Sequence, residues 1–183
     1  MNISAELVRF AATGRLDVFE VGVHLHDVVA VHGEPHYGQR IGADRWPHRF
    51  GYGDLDAAWC RCRRLWSLTV PTWRDEPEVP GPGPGETSLL PVPVTESGLT
   101  AALTAAGVAF ETEYRASLPD QRSLVTRPAP DRSVYFLFTG RLHPEDELAR
   151  DWPLHSFGTG GSDHAECPEP DRSLPDDGYG LDT

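Results

Sequence analysis

Apolar residues return at helical spacing three times along this chain, and each return runs into a glycine. Leu7, Phe10 and Ala11 fall at i, i+3 and i+4 ahead of Gly14, with Ser4 placed to cap the helix and Glu6 in its first turn. Leu25, Val28, Val29 and His32 fall at i, i+3, i+4 and i+7, and Gly33 and Pro35 close that stripe. Val28, Val29 and Val31 pull the same segment toward strand. Leu99, Ala102, Leu103 and Ala106 form the third stripe, with Thr95 or Ser97 as cap and Gly107 as the stop.

Between the stripes the pattern shifts to a period of two. Leu16 to Val23 alternates loosely and predicts a short strand, whereas His36 to Pro47 is polar and reads as an irregular loop. Arg49 to Trp73 predicts a three-stranded meander. Leu55, Ala57 and Trp59 share one of its faces, and Asp54, Asp56 and Ala58 share the other. Arg61 to Arg64 is a charged turn; Trp66, Leu68 and Val70 then line one face of the next strand, which Pro71 ends or marks as an edge. In the second half, Val108, Phe110, Thr112 and Tyr114 predict a half-buried strand, followed by strands over 123–127 and 133–139. In the last of these, Val134, Phe136 and Phe138 face one way and Tyr135 and Leu137 the other.

These elements predict an α+β fold. Two helix-plus-three-strand antiparallel units, 1–76 and 95–157, form one continuous sheet or pack face to face. Residues 77–94, PEVPGPGPGETSLLPVPV, hold too much Pro and Gly for a regular element and read as a linker. Residues 158–183 read as an acidic, disordered tail, and deleting 159–183 is expected to cost little stability. Each half has roughly 50 to 70 residues, a size at which a core is marginal alone, so the halves are expected to share one core containing Phe136 and Phe138.

Composition changes this picture in two places. Hydrophobic residues make up 39% of the 183, which fits a folded body with added polar segments. The net charge of −12 is uneven: residues 144–183 carry −9 and the remaining 143 carry −3. A nearly neutral body with an acidic end argues against nucleic acid as a partner. No stretch approaches the roughly 18 apolar residues of a membrane span, so no membrane partner is expected. The start of the chain lacks a basic and apolar leader, and the expected location is cytoplasmic. All 16 basic residues are Arg, a compositional bias rather than a set of forked contacts.

Candidate chemistry is thin. His24, His26, His32, Glu34 and His36 crowd thirteen residues and are the set an enzyme would use in a cleft between the halves. Ligands must converge, yet His24 and His26 point to different helix faces, and Gly33 and Pro35 separate His32 from His36. His32 completes an apolar stripe and reads as a core histidine. His32-Gly33-Glu34 echoes the H-x-E of zinc nucleobase deaminases, but Trp59-Cys60-Arg61-Cys62 is not their Pro-Cys-x-x-Cys. No metal or other cofactor is expected. Cys60 and Cys62 would share a strand face, too poorly placed for a relaxed disulfide, and read as packing residues. Gly51-Tyr52-Gly53 and the glycines at 81, 83 and 85 lack the lysine and setting of a phosphate loop, and Gly158, Gly160 and Gly161 fall in the tail. No G-x-S-x-G elbow occurs. The aromatic and arginine residues Trp46, Tyr52, Arg61, Arg63 and Trp73 are the candidate partner-binding set, because Trp, Tyr and Arg are enriched in interface hot spots.

The string FEVGVHLHDVVAVHGEPHYGQR, followed by FGYGDLDAAWC and LWSLTV, is similar to the helix–Gly–x–Pro–loop–strand unit of small α+β proteins. Such units occur in the β-lactamase inhibitor proteins and the small outer-membrane assembly lipoproteins. The chain also resembles short acidic actinobacterial proteins, some of them immunity proteins for toxins. The resemblance covers about residues 19 to 73, with an echo at 95–141, and departs from the secreted families in lacking a signal peptide and a lipidation cysteine. It implies a fold type and no functional residue. The expected function is a non-catalytic cytosolic protein-binding module, of the immunity-inhibitor type; an enzyme using the His/Glu cluster and an accessory subunit of a biosynthetic complex are the alternatives.

Overall fold

Each predicted helix forms where its stripe falls. In the computed structural model, which describes residues 3–39, 48–60, 62–73, 76–91, 93–114, 116–140 and 151–161, α1 spans Ile3–Thr13, α2 Leu25–His32 and α3 Glu96–Ala105. Leu7, Phe10 and Ala11 of α1, Leu25, Val28 and His32 of α2, and Leu99 and Leu103 of α3 are buried. Ser4 lies inside α1 rather than capping it. Thr95 caps α3, its Oγ1 accepting from the Gly98 N–H, and the Asp151 carboxylate accepts from the Ser97 N–H and hydroxyl.

Twelve strands accompany the helices among the described residues. A two-residue hairpin, β1 (Arg15–Leu16) and β2 (Phe19–Glu20), replaces the single strand expected over 16–23. The main sheet is built from β3 (Tyr37–Gln39), β4 (His48–Tyr52), β5 (Leu55–Trp59) and β6 (Leu65–Pro71), joined to β9 (Glu111–Tyr114), β10 (Gln121–Ala129), β11 (Arg132–Thr139) and β12 (Leu154–Gly161). Its order is β3-β4-β5-β6-β12-β11-β10-β9, antiparallel at every pairing. The two halves of the chain therefore meet edge to edge at β6 and β12, and the sheet is continuous.

The core lies under one face of this sheet. Phe10 of α1 meets Phe157 of β12 at 5.3 Å and Phe136 of β11 at 6.3 Å, both edge-on. Thr126 on β10 donates to the Ala11 carbonyl (2.7 Å), and the Arg132 guanidinium reaches the Glu20 carboxylate (2.6 Å) and the Val21 carbonyl (3.2 Å). The first helix of the chain is thus packed on strands from its end.

Several expectations require correction. Residues 158–161 are not the start of a loose tail but the end of β12, Leu154–Gly161, the strand that joins the halves; Phe157 is 1% exposed and Thr159 fully buried. A deletion from 159 would remove part of β12; residues 162–183 lie outside the described set. Residues 77–94 are not an unstructured linker: β7 (Glu78–Pro80) and β8 (Thr87–Leu89) form a hairpin, and Val79, Leu90 and Val94 enter the core. Asp54 fastens this hairpin, its N–H donating to the Glu78 carbonyl (2.7 Å) and its carboxylate accepting from the Glu78 N–H (2.9 Å). Tyr37–Gln39 adds an edge strand where an irregular loop was expected. Among the described residues, each half accordingly supplies four strands to the main sheet rather than three. Trp66 does not share a face with Leu68 and Val70. The register slips so that Ser67 faces Ala58 and Leu65 faces Trp59, leaving Trp66 as a bulge residue, 38% exposed. Glu111–Tyr114 is an exposed edge strand, and only Val108 and Phe110, just ahead of it, pack on the core.

Candidate functional site

The face of the sheet opposite the core carries small, polar and aromatic side chains. One row crosses all eight strands: Tyr37, Gly51, Asp56, Thr69, Gly158, Tyr135, Val125 and Glu111, each paired with the next. Two tyrosines lie flat along this row over glycines. A Cβ on Gly51 would fall inside the Tyr37 ring, and one on Gly158 would sit 2.6 Å from the Tyr135 hydroxyl. Only the missing side chain at Gly158 lets Tyr135 cross β12, and its hydroxyl then meets Thr69 Oγ1 on β6 at 2.6 Å. Burial pushes the Tyr135 phenol up, the Thr69 hydrogen bond opposing, with Asp56 and Arg49 near enough to act on it. The Arg49 guanidinium pairs with the Asp56 carboxylate at 3.1 Å.

A hollow lies on each side of this ridge. One, about 440 Å³, is lined by Tyr37, Asp54, Asp56, Thr69, Pro71 and Trp73. The other, about 350 Å³, is lined by residues of β9 to β11 that include Glu113, Arg127, Tyr135 and Leu137. Trp73 and Tyr37 are each 49% exposed, and the Trp73 ring tilts against His155 at 5.6 Å.

The predicted partner-binding residues are divided by the fold. Trp73 lies at this face. Tyr52 and Arg63, at 2% and 4% exposure, are buried and cannot present a side chain to a partner. Tyr52 points to the core because it follows Gly51 on β4 and so takes the opposite face; it packs edge-on against Phe19, and burial raises its phenol, with Glu34 adding to the rise. Arg63 is drawn inward by the turn it shapes, with φ at 57° and its carbonyl accepting from the Leu25 N–H. Trp46 and Arg61 lie outside the described residues. Sequence reasoning missed Tyr37, and the signal was present: an aromatic two residues beyond Pro35, with Gly51 on the strand that pairs with it.

The His/Glu set is spread over separate structural posts. His24 caps α2, its Nδ1 accepting from the His26 N–H at 3.1 Å, and burial followed by Arg64 holds its imidazole below the usual histidine range. His26 is exposed on the first turn. His32, 2% exposed, stacks on Phe19 and places Nε2 2.9 Å from the Asp17 carboxylate. His36 and Glu34 are exposed, and His36 Nδ1 accepts from the Gly53 N–H. Among the described residues, no three His, Cys, Asp or Glu side chains gather in a way that would hold a metal ion. No described helix is long and apolar enough to cross a membrane. Compared with known proteins, the chain matches no family model, no curated protein and no solved structure.

Proposed function

We propose that this protein is a non-catalytic protein-binding module that engages its partner through the sheet face described above, and, more narrowly, that it is an inhibitor of the immunity type. The observation that carries this reading is the pair Tyr37 and Trp73, half-exposed aromatics framing one hollow on a wide antiparallel face. Large aromatic side chains bury much area at little conformational cost, and such residues supply most hot spots. The face carries both signs of charge, with Asp54, Asp56, Glu111 and Glu113 beside Arg49 and Arg127. That mixture suits a protein surface better than a polyanion.

The same proposal includes an architecture of two like units, α2 with β3–β6 and α3 with β9–β12, their last strands forming the seam. Two parallel details support it. The cap of α2, His24, bridges to Arg64 just before β6, and the cap of α3, Thr95, bridges to Pro153 just before β12.

The test is affinity capture on the immobilised full chain from its own source extract, quantified by mass spectrometry. A partner of the face should fall at least about tenfold with Trp73→Ala, equivalent to about 1.4 kcal/mol. It should hold with Leu89→Ala, an exposed site on the β7–β8 hairpin. Recovery that is indifferent to Trp73 and Tyr37 would remove the face from the reading.

A further inference from the structure

The turn between β5 and β6 holds two thiols against each other. β5 ends at Trp59 and β6 begins at Leu65; between them the Cys60 N–H donates to the Arg64 carbonyl (3.0 Å), and the Arg63 N–H to the Cys60 carbonyl (2.8 Å). Arg63 takes a left-handed conformation, φ 57°. Cys60 and Cys62 therefore lie beyond the end of β5 and not on one strand face, which corrects the placement expected of them. Their Sγ atoms lie 2.9 Å apart, less than an ångström beyond a disulfide bond of about 2.05 Å. The surrounding backbone pins this approach. Leu25 N–H donates to the Arg63 carbonyl (2.8 Å), Leu65 N–H to the Val23 carbonyl (2.9 Å), and the Arg64 guanidinium to the Gly22 carbonyl (2.7 Å).

We propose that Cys60 and Cys62 form a reversible intrachain disulfide, so that this turn is a thiol-oxidation site. The entry point is Cys62, which is half-buried, whereas Cys60 is 5% exposed. Cys62 gives its proton to solvent and attacks one sulfur of a small-molecule disulfide, forming a mixed disulfide and releasing one thiolate. Cys60 then loses its proton and attacks Cys62 Sγ, breaking the mixed disulfide and releasing the second thiolate. Two protein thiols are oxidised, and one external disulfide is reduced to two thiols. A ring this short is strained, which places the bond among the labile rather than the structural disulfides.

The test uses the full chain carrying Cys167→Ser, so that only this pair titrates. It is equilibrated with graded ratios of oxidised to reduced glutathione, acid-quenched, alkylated and read by intact mass. The expected product is a monomer that takes no alkyl group and is lighter by two hydrogens, fully reversed by excess dithiothreitol. Because the fold holds the thiols together, closure should need at least about tenfold less oxidant than for the same chain unfolded in urea. Cys60→Ser in the same background should instead stop at a glutathione adduct on Cys62. Double alkylation under full oxidant, oxidation that ends in adducts or interchain dimers, or equal closure in urea would each overturn the proposal.

Discussion

A methyl group at Gly158 would sit 2.2 Å from the Leu68 carbonyl oxygen and 2.6 Å from the Tyr135 hydroxyl. The first neighbour is backbone in the middle of the sheet and has no room to give. Gly158→Ala is therefore expected to cost about 1–3 kcal/mol, the range for inserting a methyl into a packed site. Urea unfolding should show it as a lower midpoint at unchanged slope; an unchanged midpoint would mean that Tyr135 is not seated over β12. On the other face, Phe136 is fully buried against Phe10 and Phe157. Phe136→Ala should cost about 3–5 kcal/mol, near the whole stability of a small domain, and equilibrium unfolding measures it directly.

At the scale of elements, the start of α2 depends on a histidine that must stay neutral to accept from the His26 N–H. Burial and Arg64 lower the folded-state pKa of His24, so the unfolded chain binds the proton more readily. The cap's contribution is then present above the unfolded histidine range, near pH 6.5, and is lost as the pH falls below it. His24→Asn keeps a neutral cap at every pH. The stability of the wild type relative to this variant should fall between pH 7 and 5, by no more than about 1 kcal/mol; a pH-independent difference would refute the assignment. α2 was legible because Leu25, Val28 and His32 mark one face and Gly33 and Pro35 end it. β12 was not. Its three glycines and lack of alternation look like tail, and what makes it a strand is pairing on both sides with β6 and β11. The β7–β8 hairpin hid for a similar reason, since its prolines and glycines masked Val79 and Leu90 as core residues. Trp66 was assigned to the wrong face because a bulge is a property of two strands together. The same limit divides the candidate partner residues: Trp73 is half-exposed, whereas Tyr52 is buried by the parity of β4 and Arg63 by the conformation of its turn.

For the whole molecule, the sheet face and the core beneath it depend on both halves at once. Tyr37 and Trp73 come from the first half, Tyr135 and Gly158 from the second, and the ridge exists only where β6 pairs with β12. Below, α1 packs on α3 and β10, so the first half covers the apolar face of the second. Separating the halves would expose that face and leave β6 and β12 as bare edges. The most direct measurement is thermal unfolding of residues 1–91 and 93–183, expressed separately, beside the full chain. The full chain should unfold in one cooperative transition and neither piece should show any; a cooperative transition in either piece alone would mean that the halves fold independently.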